Sequence, residues 1–317
     1  MPAVMAVGGL YAALSAELAL IVAASTAVSY YWRHGCQHAT LRLVATPSFA
    51  ARPWAAQRAG AACLLAFRAS CATVWITVMV SAAQEGDSRI YLFFTTWNYL
   101  LQATYFVLSA VAGARLLWKP HWALLETRAE RALARAVWAL FSVCLPSSVM
   151  VTVVLWGVLL PATLRSGSSA AIDAMLSASS FAQHLVNTIL LMLDFAVNHM
   201  LVDTSTLVLV VCWNVAYVLF EWVAHSMSAK WTYFFLSLNG FTWAWYAALA
   251  AVGVGAHALA CLASRWKARR LAIAAPRDPA AESGVTAPLE PPISDPGPDV
   301  DADADADAEA DDAYIRI

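Results

Sequence analysis

"QHLVNTILLMLDFAVNH", residues 183–199, is apolar enough to lie in lipid, yet it carries His184, Asn187, Asp194 and Asn198. These are separated by three, seven and four residues, steps that return to one face of a helix. His184, Asn187, Leu191, Asp194 and Asn198 therefore form one line, with Leu185, Leu190, Leu193 and Val197 mostly away from it. Charged groups in hydrocarbon are costly and turn toward a bundle interior or a wet cavity. The stretch thus predicts a membrane helix whose polar row faces other helices.

The whole chain agrees. Hydrophobic residues make up 61%, charged residues 13%, and mean hydropathy is +0.63, whereas soluble domains are roughly half apolar and a quarter charged. The composition is that of a polytopic membrane protein, placed in an endomembrane or the plasma membrane. Six cysteines, at 36, 63, 71, 144, 212 and 261, form no CxxC pair, which argues against a disulfide framework or zinc site. Cys36, in a basic loop beside the bilayer, is a candidate for palmitoylation. Nothing indicates a nucleotide loop, a metal site, a cofactor or a nucleic-acid surface. The expected partners are membrane lipids, with a lipid or fatty-acid ester as candidate ligand.

A helix needs about 20 apolar residues to cross the bilayer core. Seven segments qualify, approximately 5–31, 60–82, 91–114, 137–161, 180–201, 205–227 and 241–263. The first lacks a basic leader and exceeds a signal peptide's apolar run, so it reads as a retained helix. The expected fold is therefore all-α, a seven-span bundle over residues 1–275.

The net charge of −2 hides two opposed ends: residues 278–317 hold 12 of the 21 acids and one of the 19 basic residues. Loops after spans 1 and 3, and the stretch after span 7, carry fourteen Lys and Arg. The other side carries three, Arg89, Arg165 and Lys230. By the positive-inside rule the N-terminus is outside and the C-terminus cytosolic. From about residue 276 the chain is rich in Pro, Asp and Ala, ending "DVDADADADAEADDAYIRI". Alternating Asp and Ala self-repel and offer no apolar face, so this tail is expected to be disordered.

Other spans repeat the opening pattern. Thr95, Asn98, Gln102, Tyr105 and Ser109 recur at 3-4-3-4, and Asn214, Tyr217, Glu221 and His225 at 3-4-4. Arg68 sits near the middle of span 2 and Glu17 in span 1. Cross-helix hydrogen bonding explains two or three such groups. This number points to a shared polar cavity that includes Arg68, Asn98, Gln102, Asn187, Asp194, Asn198, Asn214 and Tyr217. Asp194 is expected to be held by Arg68, Asn98 or another interior group. Thr95, His184 and Glu221 fall one to two turns below the outer surface, on inward rows. A hydroxyl needs a base to become a nucleophile, and the base works better when a third group orients it. Those three residues are the candidate catalytic set.

From about Phe67 to Lys267 the chain resembles the rolling-stone-like family of multi-pass membrane proteins, particularly its plant and algal members. The shared features read Phe67-Arg68, Thr95-Thr96-Trp97, His184…Asn187…Asp194, and Trp213…Tyr217…Phe220-Glu221-Trp222…His225. That family is related to the androgen-induced intramembrane hydrolases, which resemble threonine hydrolases of fatty-acid esters of hydroxy fatty acids. The relationship implies Thr95, seven residues before Gln102, as nucleophile. The related enzymes have their catalytic histidine where this chain has Asn187, and asparagine cannot act as a base. His184 matches the first histidine of their motif. The sequence therefore favours a non-catalytic lipid-binding, transport or interaction role, with a Thr95-dependent lipid-ester hydrolase as the alternative.

Overall fold

A computed structural model describes residues 45, 54–84, 88–118, 127–237 and 243–274, and every regular element among them is helical. The α-helices are α1 Trp54–Gln84, α2 Phe94–Trp118, α3 Arg128–Val154, α4 Leu160–Ser166 and α5 Ser169–Met175. They continue with α6 Ala178–Phe181, α7 Asn187–Val197, α8 Leu207–Ser228 and α9 Trp243–Ala274. Single π turns, Leu155–Leu159 and Ala182–Val186, join α3 to α4 and α6 to α7 as continuous rods.

Six segments are long and apolar enough to cross a membrane: Arg58–Ser81, Phe94–Trp118, Arg128–Ser166, Ala178–Val197, Thr204–Ser228 and Ala244–Leu271. This is the architecture of a multi-pass membrane protein. The expected span over 5–31, with Glu17, Cys36 and the acidic tail, lies outside the described residues.

Several helix ends differ from the expected spans. The span placed at 137–161 belongs to a longer rod, because Thr127 and Glu130 form a capping box that starts α3 at Arg128. The Glu130 N–H donates to the Thr127 hydroxyl at 3.2 Å, and the Thr127 N–H to Glu130 Oε2 at 2.9 Å. The span placed at 180–201 stops at Val197, and Asn198 is extended. The last helix runs past 263 to Ala274.

α3 is central, packing against α2, α7, α8 and α9, while α1 packs along α2. Trp75, Tyr99, Phe106, Phe141 and Leu191 are buried in the main core. Trp75 stacks on Tyr99 with centroids 5.2 Å apart, and its indole N–H donates to Gln102 Oε1 at 3.3 Å. Ile189, Met192 and Leu193 of α7 remain exposed, as suits a face turned to lipid. Lipid is as apolar as these side chains, so close packing and interior hydrogen bonds must hold the bundle together.

Candidate functional site

The three polar rows divide between two places. On α2, Asn98, Gln102, Tyr105 and Ser109 are buried, as are Asn187, Asp194 and Asn198 of the opening stretch. Arg68 Nε donates to Asp194 Oδ1 at 2.8 Å, and Arg68 Nη2 donates to Asp194 Oδ2 at 3.2 Å. Tyr105 donates to the same Oδ2 in a short bond. Asn198, although past the helix end, bends back to donate to Oδ2 at 3.1 Å.

Lys267 of α9 extends this network by donating to Asn198 Oδ1 at 2.9 Å and to the Met200 carbonyl at 3.0 Å. This assembly is buried, and none of its members lines the cavity described below. Asn98 and Gln102 are also spent on packing contacts. Asn98 Oδ1 accepts from the Trp213 indole at 3.0 Å, and Asn98 donates to the Phe94 carbonyl at 3.0 Å. Asn187 Oδ1 accepts from the Thr188 N–H at 2.6 Å.

The second place lies at the start of α2 and along α8. A cavity of about 400 Å³ opens there, walled mainly by aliphatic and aromatic side chains of α3, α8 and α9. That volume lies in the range of small-molecule sites. Its polar lining includes Thr95, His184, Asn214, Tyr217 and Tyr233. The expected polar cavity is thus an apolar one with a few polar groups.

Thr95 lies in the first turn of α2, and its Oγ1 is 3.2 Å from His184 Nε2. The other imidazole nitrogen, Nδ1, is 2.7 Å from the Ser180 carbonyl. A carbonyl can only accept, so Nδ1 carries the proton. In the neutral ring Nε2 then presents its lone pair to the Thr95 hydroxyl. This is the tautomer that a base for Thr95 requires.

His184 stands in the π turn, where the Asn187 N–H bonds to the Ala182 carbonyl, five residues back. The widened turn leaves the His184 carbonyl to accept a short bond from the Thr152 hydroxyl of α3. π turns are rare and occur often at functional sites. Here one fixes the residue that faces Thr95.

Glu221 does not orient His184. It is 1% exposed, and its Oε1 accepts from the Thr232 N–H at 2.5 Å while Oε2 has no hydrogen-bond partner. Its bond instead holds the segment after α8 against the helix. That segment turns through Ala229 in the left-handed region, φ 55°, an uncommon conformation outside glycine.

The anchored segment delivers Tyr233, which periodicity could not flag because it sits in a non-helical turn. The Phe94 N–H, unpaired within α2, donates to the Tyr233 hydroxyl at 3.2 Å. The same hydroxyl lies against the backbone and side chain of Thr95, and burial pushes the phenol up to about 12. Tyr233 is also packed by Phe235, stacked with centroids 5.0 Å apart.

Among the described residues, no three His, Cys, Asp or Glu side chains are grouped to hold a metal ion. The chain matches no family model, no curated protein and no solved structure.

Proposed function

We propose that this membrane protein hydrolyses lipid esters, with Thr95 as nucleophile and His184 as base. The observation that supports this is the 3.2 Å approach of Thr95 Oγ1 to His184 Nε2 at the wall of an apolar cavity. The Ser180 carbonyl, accepting from Nδ1, takes the orienting part first given to Glu221. The reading also accords with the resemblance to rolling-stone-like proteins and their hydrolase relatives. It further takes the chain to have seven spans with a cytosolic C-terminus, so that Thr95 lies toward the outer leaflet.

In the proposed reaction, Thr95 Oγ bonds to the ester carbonyl carbon while its proton passes to His184 Nε2. The carbonyl π pair moves onto oxygen. Collapse breaks the bond to the alcohol oxygen, which takes the proton from His184, and leaves the acyl group on Thr95. Water repeats the sequence, releasing the carboxylic acid. The Tyr233 hydroxyl, beside Thr95 at the start of a 25-residue helix, is a donor for the oxyanion. The positive end of the helix favours the same charge.

Labelling of membranes with a fluorophosphonate probe tests this. The wild type should label and Thr95→Ala should not; equal labelling of both would remove Thr95 as nucleophile. A second reading, lipid binding without turnover, is favoured by the predominantly apolar cavity wall and by Glu221 bonding to Thr232 rather than to His184.

A further inference from the structure

The cavity's course along α8 bears on which part of an ester it would hold. Tyr217 donates to the Leu92 carbonyl at 2.8 Å, and its ring centroid lies 4.8 Å from that of Phe94. Thr95 is therefore level with Tyr217. Leu207, the first residue of α8, also lines the cavity. Ten residues separate Leu207 from Tyr217, about 15 Å at 1.5 Å per residue. That is half of a hydrocarbon core of about 30 Å, the depth that one acyl chain fills in one leaflet.

Between these levels the wall includes Val210, Val211 and Val215 of α8 and Val254 of α9, without a charged group. Gly253 of α9 stands opposite Asn214, one helical turn beyond Tyr217. A Cβ there would meet Asn214 Nδ2 at 3.5 Å and Met150 Sδ at 3.5 Å, ordinary van der Waals distances. Gly253, Asn214 and Met150 all line the cavity, so a larger side chain at 253 would take up space among its walls.

We infer that the cavity binds one long acyl chain, carbonyl at Thr95 and tail toward Leu207, and that Gly253 keeps its passage open. The proposal rests on the hydrolase reading for the position of the carbonyl. The chain site itself depends only on the cavity. A short acid would leave the far part of the cavity unfilled.

The test compares Gly253→Leu with Gly255→Leu in the full-length protein in detergent. Gly255 is two residues further along the same helix, and a Cβ there meets nothing within 4 Å. Leucine is a better helix former than glycine, so neither change should threaten the fold. Three quantities are measured: hydrolysis of p-nitrophenyl butyrate, hydrolysis of p-nitrophenyl palmitate, and the rise in melting temperature caused by palmitate.

Gly253→Leu should keep butyrate turnover, lose palmitate turnover by roughly tenfold or more, and lose stabilisation by palmitate. Gly255→Leu should match wild type in all three. Unchanged palmitate handling in Gly253→Leu, or equal loss on both esters, would overturn the assignment. Thr95→Ala separates the two ideas. If it still hydrolyses esters while palmitate stabilises it as in wild type, the hydrolase reading falls and the chain site stands. If it is inactive yet Gly253→Leu behaves as wild type, the reverse holds.

Discussion

Arg68 and Asp194, 126 residues apart in the chain, meet at 2.8 Å with side chains 1% and 0% exposed. Neither charge could stay in this interior alone. Each is there because the other is, and because Tyr105 and Asn198 occupy the remaining carboxylate lone pairs.

Asp194→Leu should therefore cost about 3–5 kcal/mol, the usual penalty for stranding a buried charge. Arg68→Leu combined with Asp194→Leu should recover much of that loss, since the stranded cation is gone. Melting curves in detergent measure both. A single variant as stable as wild type would show that the pair holds nothing together.

Tyr233→Phe removes one oxygen and leaves the ring. It should reduce kcat by roughly 10²–10³-fold, the range for a lost oxyanion donor, with KM little changed. Its pH signature follows from burial, which raises the phenol to about 12 from an ordinary value near 10. The fold favours the neutral phenol, so this contribution to stability is complete below about pH 10 and disappears as the pH rises toward 12. Wild type should lose melting temperature more steeply than Tyr233→Phe across that window. Parallel curves would mean that Tyr233 is not the buried donor described.

The polar rows were legible because buried helix faces repeat at three and four residues, and that period identifies Asn98, Gln102, Asn187 and Asp194 as inward. Equal depth below one surface drew Thr95 and His184 together. Glu221 shared that depth and yet bonds to Thr232, because depth places a residue on a level without giving its direction. The π turn over Ala182–Val186 carries no mark in a sequence read at 3.6 residues per turn. Without it neither the Thr152 bond nor the Ser180 carbonyl's part could be foreseen. Tyr233 lies in an irregular turn where periodicity says nothing. Lys267 counted as a cytosolic charge until the helix proved to run on, turning it inward to the Met200 carbonyl.

Thr152 is expected to matter through His184. Its hydroxyl bonds to the His184 carbonyl and lies 2.8 Å from the Thr188 hydroxyl. Thr152→Val keeps the shape and deletes the donor, leaving a carbonyl unsatisfied at about 1–3 kcal/mol. Hydrolysis should fall because the π turn relaxes and the imidazole moves. Thr152→Ser should restore both the rate and its pH profile. A rate that stays low in Thr152→Ser would point to lost packing instead.

On the proposed hydrolase reading the base is His184 and not Asn187. The Asn187 side-chain oxygen accepts from the Thr188 N–H and hydroxyl. Asn187 is 1% exposed and absent from the cavity lining, while His184 reaches Thr95 from one turn earlier. A residue that cannot take a proton and does not face the nucleophile has no direct part in the reaction. His184→Ala should accordingly abolish fluorophosphonate labelling of Thr95, because the hydroxyl loses its proton acceptor. Asn187→Ala should lower the melting temperature, since a buried amide and its hydrogen bonds are removed, and still label in whatever fraction remains folded. Asn187→His should not rescue His184→Ala. The new imidazole would start from the packed position beside Thr188 rather than from the cavity wall. Rescue by that double variant would show that the base belongs at 187 and that the Thr95–His184 approach is incidental.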